Sequence, residues 1–220
     1  MIGFPDFIHW HLDPAGRLGE ILFGLIMALG IIGAVRLGVE DLSNRSMFIA
    51  ILGCNLAWAV VDGVMFVLVE VFERGRRFRV AHRIQTISAD EKALELIRRE
   101  LGDQLEPLAS PEALRVFYGD VLKTVRAAGP LEATVRRGDI FGGVASALVI
   151  LLATAPILIP YLVIPKPGVA VRVSELIAVV LLFLLGTWWG RVVGANSLKV
   201  GFLLTLVGGL LVGVTILLGG

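Results

Sequence analysis

Residues 17–73 read RLGEILFGLIMALGIIGAVRLGVEDLSNRSMFIAILGCNLAWAVVDGVMFVLVEVFE. The polar loop at residues 40–45 separates two long apolar runs. Runs of about 20 apolar residues are long enough to cross the hydrocarbon core of a bilayer as helices. Glu20 and Asp62 lie inside the two runs, where an ionisable group is costly and is therefore a functional hypothesis by default. The stretch predicts a transmembrane hairpin that carries the functional site.

The composition of the whole chain supports a membrane protein. Its 220 residues are 56% hydrophobic, and the mean hydropathy is +0.85. Soluble domains are typically about 45–50% apolar. The net charge of +1 and the absence of a basic face interleaved with aromatic residues argue against nucleic-acid binding. The single cysteine, Cys54, excludes an internal disulfide and a CxxC motif.

Five apolar segments predict an all-α membrane protein with five transmembrane helices and a cytoplasmic helical hairpin between the second and third. The predicted spans cover residues 18–39, 47–72, 139–164, 173–193 and 198–218. The predicted organisation is an N-terminal interfacial segment at 1–16, spans one and two within 17–73, a cytoplasmic helical insert at 74–138, and spans three to five within 139–220. In the first segment, His9, His11 and Asp13 are either metal-entry ligands or solvated interfacial residues.

The polar block at 74–138 carries 13 of the 20 lysines and arginines. By the positive-inside rule it faces the cytoplasm, which places the N-terminus inside and the C-terminus outside. Ser88 and Glu91 form a capping-box pattern, and Ser110-Pro111 is a second helix start. Apolar residues then recur at helical spacing in each helix: Leu94, Ile97, Leu101 and Leu105 in the first, and Leu114, Phe117, Val121 and Val125 in the second.

Glycines spaced by four in the last two spans predict close helix packing. They are Gly186, Gly190 and Gly194 in span four, and Gly209 and Gly213 in span five.

The antiparallel register of the first hairpin predicts a polar layer. With the loop centre near residue 42, Glu20 lies level with Val64, and Asp62 lies level with Leu22. At about 1.5 Å per residue, Glu20, Asp62 and Met65 then share one depth.

Two helical stripes would face each other at this layer. Glu20, Gly24 and Met27 share a stripe of the first span; Asn55, Trp58, Asp62 and Met65 share one of the second. Carboxylate oxygens suit hard divalent cations, and thioethers favour transition metals. The predicted metal ligands are therefore Glu20, Met27, Asp62 and Met65. The plainer interpretations are packing for the methionines, an interhelical hydrogen bond for Asn55, and a Glu20 that reaches the interface.

Five motifs carry a resemblance to the vacuolar iron transporter family, in particular to its short bacterial members. In chain order they are ILFGLIMALGIIGAV, DGVM, TAPILIP, LFLLGTWWGR and VGVTILLGG. The resemblance implies a homodimer in a membrane, here a bacterial inner membrane. It also implies export of ferrous iron or manganese from the cytosol, in exchange for protons, along a path between the first spans of the two protomers.

The chain departs from the family pattern at three places. Met27 stands where the family has an aspartate, whereas Met65 matches a family methionine. The glutamate that follows that methionine is displaced by one position, at Glu70. The insert is rich in arginine, with its glutamates Glu91, Glu95 and Glu100 scattered among basic residues.

The predicted function is therefore transport of a divalent transition metal, ferrous iron or manganese, coupled to protons. The alternative is a non-transporting membrane scaffold or sensor built on the same fold. An enzyme is not expected, because the spans contain no Ser/His pair, HExxH motif or paired-aspartate motif. The expected partners are the metal ion, the lipid bilayer and a second copy of the chain, and no resident cofactor is expected.

Overall fold

A computed structural model describes residues 14–36, 43–129 and 132–217. Within these ranges the chain forms seven helices and no strand. They are α1 (Pro14–Arg36), α2 (Asn44–Thr86), α3 (Asp90–Leu105), α4 (Pro111–Ala127), α5 (Arg137–Val163), α6 (Pro167–Val192) and α7 (Ser197–Leu217). Most of the predicted segment 1–16, with His9, His11 and Asp13, lies outside the described residues.

Four of these helices, α2, α5, α6 and α7, are long and apolar enough to cross a membrane. The apolar part of α1 is shorter, at Leu18–Ala34. Seventeen helical residues rise about 25 Å, slightly less than the hydrocarbon core. An integral membrane protein is therefore supported, while the fifth span and the cytoplasmic placement of the insert stay predictions.

Two helices extend beyond the predicted spans. The second helix does not end at Phe72 but continues to Thr86, so the polar block begins within an existing helix. The helix predicted from residue 173 begins at Pro167, which occupies the first turn, and Arg172 is therefore helical. Proline is well accommodated there because first-turn N–H groups have no partner within the helix.

The chain divides into two compact units. The membrane unit comprises the described residues of Met1–Val67 and Arg136–Gly220, and the second unit is Leu68–Val135. In the membrane unit α1 packs against α5, α6 and α7. Leu25 and Ile32 of α1, Ile51 of α2, Ile157 of α5 and Leu182 of α6 lie fully buried in one apolar cluster.

Glycine allows the close approach of α6 and α7. A Cβ atom added at Gly186 would lie 2.8 Å from the Cα atom of Gly201, and one added at Gly190 would lie 2.7 Å from the Cα atom of Ser197. These contacts confirm the packing prediction for both glycines. Gly194 instead lies beyond the end of α6 with a φ of +69°, a conformation that glycine adopts readily.

The other predicted packing glycines behave differently. Gly209 and Gly213 of α7 have no described atom within 4 Å of an added Cβ atom. Their spacing therefore makes no close contact with another helix in the part of the chain that the structure describes.

The second unit is built from three helical segments. Apolar residues from the end of α2, from α3 and from α4 form one cluster: Ile84, Ala93, Ile97, Leu114, Tyr118 and Leu122. The predicted two-helix hairpin thus gains a third helical wall, which increases the apolar area it can bury. Phe117 was predicted to face this core but is 45% exposed, and Tyr118 is buried instead.

The two predicted helix starts of the second unit have different outcomes. The Ser110 side chain accepts a hydrogen bond from the Ala113 backbone N–H at 3.3 Å, with proline at the first helical position, as predicted. The capping box at Ser88 was wrong, because Ala89 caps α3 without a side-chain hydrogen bond. Asp90 and Glu91 in the first turn still complement the helix dipole.

Candidate functional site

The candidate site depends on a close crossing of α2 and α5. A Cβ atom added at Gly63 would lie 2.7 Å from the backbone oxygen of Gly143, and an added Cβ at Gly143 would in turn meet the Gly63 oxygen. Helix backbones approach this closely without a shift only where both contacting residues are glycine. The crossing places the neighbouring turn of α5 against Asp62.

Ser146 of α5 fixes the carboxylate of Asp62. The Ser146 hydroxyl donates a hydrogen bond to Asp62 Oδ2 at 2.5 Å. Ser146 is fully buried, and Asp62 is partly buried. Hydrogen bonds to an ionised acceptor are short and about twice as strong as neutral ones. Asp62 is therefore held in one position within the helix bundle.

Glu20 of α1 completes the polar group. Its carboxyl lies within hydrogen-bonding reach of both Asp62 and Ser146. Two carboxyl groups can hydrogen-bond to each other directly only when one of them carries a proton. Glu20 therefore lies at the same depth as Asp62. The two carboxyls form an acidic pair, and Ser146 supplies a hydroxyl donor beside them.

A cavity of about 150 Å³ opens on this acidic pair. Three of the four predicted metal ligands line it, namely Glu20, Met27 and Asp62. The remaining lining residues are Phe23, Gly24, Trp58 and Ile150. The space is sufficient for an ion with a few water molecules. Among the described residues there is no group of three or more His, Cys, Asp or Glu side chains that would hold a metal by themselves.

Met65, the fourth predicted ligand, does not line this cavity. It lies one turn beyond Asp62 on α2, and 49% of it is exposed. Trp58 and Val61 on the same stripe of α2 are 49% and 48% exposed. Met65 therefore belongs to an outward face of the membrane unit rather than to the acidic pair.

Asn55 was predicted to join the polar stripe, and its environment differs. Its side chain is fully buried, and the Nδ2 group donates to the backbone oxygen of Ile51 in the same helix at 2.9 Å. The Oδ1 atom has no hydrogen-bond partner in the described part of the chain. The expected interhelical hydrogen bond is thus replaced by one to the preceding turn of α2.

Gly24, on the predicted stripe of α1, borders both the cavity and α5. A Cβ atom there would lie 3.2 Å from Thr154 Cγ2 and 3.4 Å from the Ile150 backbone oxygen. The glycine therefore serves mainly the close packing of α1 on α5.

The contribution of α5 to the site was not predicted from the sequence. Ser146 holds Asp62, and Ile150 forms one wall of the cavity. The available signal was the run GGVAS at residues 142–146, in which small residues favour close helix contact beside a hydroxyl group.

Several acids of the second unit are paired with arginines. In the second unit, Glu95 accepts from Arg99 at 2.6 Å and Glu106 accepts from Arg98 at 2.8 Å. Glu100 lies 3.5 Å from Arg76. These three carboxylates have basic partners, whereas Glu20 and Asp62 have none among the described residues.

Together, the apolar helices and the acidic pair define an integral membrane protein with a polar site inside its bundle. The model of the VIT family, the vacuolar iron transporter family, matches residues 79–220, well over half of the chain. The chain therefore belongs to the VIT family, and this membership indicates membrane metal-ion transport rather than enzymatic catalysis. A search of the curated proteins found no match. Ser146 lies within the matched part, whereas Glu20 and Asp62 precede it.

Proposed function

We propose that the chain transports a divalent transition metal, ferrous iron or manganese, through the cavity at the acidic pair. The observation that carries this proposal is the contact of Glu20 with Asp62 beside a cavity of about 150 Å³. In the described part of the chain neither carboxyl forms an ion pair with a basic side chain. A cation is the missing partner that such a pair of acids best accommodates.

The ligand set favours a transition metal over calcium or magnesium. Glu20 and Asp62 provide carboxylate oxygens, and Met27 adds a thioether at the same cavity. Hard alkaline-earth ions prefer oxygen ligands alone, whereas a sulfur ligand favours softer ions. Fe²⁺ and Mn²⁺ accept this mixed set, with water molecules filling the remaining positions.

Proton coupling follows from the same geometry. Two carboxyls within hydrogen-bonding reach can share a proton, and two carboxylates that bind a divalent ion must both be ionised. Metal entry therefore releases the proton, and metal exit allows its return. This exchange would couple metal movement to a proton gradient.

Met65 joins the path when a second copy of the chain covers the outward face of α2. We propose a homodimer because the stripe of Trp58, Val61 and Met65 is about half exposed in the single chain. The basic composition of the second unit supports a cytoplasmic location for it, with the N-terminus inside and the C-terminus outside a bacterial inner membrane.

The decisive experiment is metal flux into proteoliposomes that contain the purified full chain. Asp62→Asn should reduce Fe²⁺ and Mn²⁺ flux by at least tenfold, because loss of even an indirect metal contact commonly costs 10- to 100-fold. Glu175→Gln, a carboxylate of α6 that does not line the cavity, should retain flux. Unchanged flux in Asp62→Asn would refute the assigned site. If the wild-type chain moves no metal, the alternative of a scaffold or sensor is favoured.

A further inference from the structure

The turns of α2 that follow its apolar run carry four arginines, which we call the arginine collar: Arg74, Arg76, Arg77 and Arg79. The apolar run ends at Phe72, which is 70% exposed. The segment that follows, ERGRRFR, places Arg74, Arg76, Arg77 and Arg79 within six positions of the same helix. Among the described residues, no other exposed aromatic residue lies beside so many basic residues. The question is which of these charges the protein uses internally.

Two of the four arginines are bound within the second unit. Arg76 pairs with Glu73 at 3.0 Å and with Glu100 at 3.5 Å. Arg74 donates from Nη1 to the Thr134 backbone oxygen at 2.7 Å. These contacts connect α2 to α3 and to the segment before α5, so both side chains have a structural role.

Arg77 and Arg79 are different. Both are exposed, and neither forms an ion pair or a hydrogen bond with the residues that the structure describes. At 100° per residue they lie about 200° apart around the helix axis, so they project from opposite sides of α2. A single protein surface would cover one side only. Lipid headgroups that approach α2 from different sides can bind both.

The depth of the two arginines matches the lipid headgroups. With a rise of about 1.5 Å per residue, Arg77 and Arg79 lie about 7.5 and 10.5 Å beyond Phe72 along the helix. The polar layer extends roughly 5–8 Å beyond the hydrocarbon core on each side. Long arginine side chains can reach back toward the core with their guanidinium groups in the polar layer. Exposed Phe72 at the end of the apolar run fits the aromatic level of the interface.

We propose that Arg77 and Arg79 each bind the phosphate groups of anionic lipids. The guanidinium group presents paired N–H donors that match phosphate oxygens, and its charge is permanent. The two side chains collect anionic lipid around α2 where the helix leaves the membrane. This binding does not depend on metal transport, and failure of the transport proposal would leave it intact.

The test is lipid binding to the purified full chain, measured by native mass spectrometry. Phosphatidylglycerol and phosphatidylcholine with identical acyl chains serve as the anionic and zwitterionic probes. The wild-type chain should prefer phosphatidylglycerol, and the preference should weaken with salt. Because each basic residue near an anionic surface contributes about fivefold in affinity, the double variant Arg77→Gln/Arg79→Gln should lose roughly 10- to 30-fold of this preference.

The control variant is Arg115→Gln/Lys123→Gln, which removes the same charge from exposed positions of α4. It should keep the wild-type preference. The proposal is overturned if the wild-type chain shows no preference, or if both double variants lose it equally. It is also overturned if Arg77→Gln/Arg79→Gln changes the oligomeric state and leaves lipid preference intact, since a second copy would then occupy the arginine collar.

Discussion

Acidic residues of the membrane unit and of the second unit have opposite environments. In the membrane unit, Glu20 and Asp62 contact each other and a buried serine. In the second unit, Glu95 contacts Arg99 with side chains 60% and 75% exposed. The exposed Glu95 carboxylate is solvated by water and paired with arginine, and such an ion pair contributes only about 0–1 kcal/mol to stability. The membrane-unit acids have no basic partner among the described residues and border a cavity instead. The environment, not the residue type, distinguishes the two kinds of acid.

The strongest way to break this contrast is to separate the helices that create the acidic pair. Gly63→Ala introduces a Cβ atom 2.7 Å from the Gly143 backbone oxygen, so α2 and α5 must move apart. Overpacking of this kind costs about 1–3 kcal/mol, equivalent to roughly 2–10 °C in Tm. Metal flux should fall together with Tm, because Asp62 would lose contact with Ser146.

The matched control is Gly53→Ala in the same helix, where an added Cβ atom meets nothing within 4 Å. It should leave Tm and flux unchanged or slightly improved, since alanine favours helix. Equal Tm values for the two variants in a thermal unfolding assay would contradict the close crossing.

A second, smaller perturbation removes only the hydroxyl that positions Asp62. Ser146→Ala should lower metal flux by about tenfold, since a hydrogen bond to a charged group contributes about 1.5–3 kcal/mol. Ser174→Ala is a matched control, because Ser174 is equally buried but donates to the Ile157 backbone oxygen. Equal flux from the two variants in proteoliposomes would show that Ser146 does not position the carboxylate.

The smallest effect is expected from a carboxylate of the second unit. Glu95→Gln removes an exposed ion pair with Arg99, so the change in stability should stay below about 1 kcal/mol and flux should be unchanged. Glu20→Gln makes the same chemical change at the acidic pair and should impair flux strongly. Parallel flux measurements on the two variants sharpen the comparison, and a similar loss in both would refute it.

The depth of the acidic pair could be predicted from the chain alone. Antiparallel spans with a short loop place residues of matched distance from the loop side by side, so Glu20 and Asp62 meet. Met27 followed from helical spacing and lines the cavity. Met65 followed from the same spacing but does not line the cavity. A helical stripe wide enough to include it also includes outward positions such as Val61.

Other features could not be predicted, for identifiable reasons. Ser146 lies 84 residues from Asp62 in the chain, and no local pattern relates them. Phe117 and Tyr118 differ by one position on a helix, where both are bulky and only packing decides which is buried. The extension of α2 to Thr86 was obscured because a change from apolar to basic residues resembles a boundary although the helix continues.

The sequence by itself determined the membrane class, the number and order of the apolar segments, and the presence of two acids within them. Length and hydropathy suffice for this, since a bilayer accepts only long apolar helices with satisfied backbones. The tertiary structure alone decided which side chains surround those acids. Two glycines brought α2 and α5 into backbone contact, and that contact supplied the serine, the cavity wall and the fixed carboxylate. Such contacts depend on distances between remote segments, which the order of residues does not state.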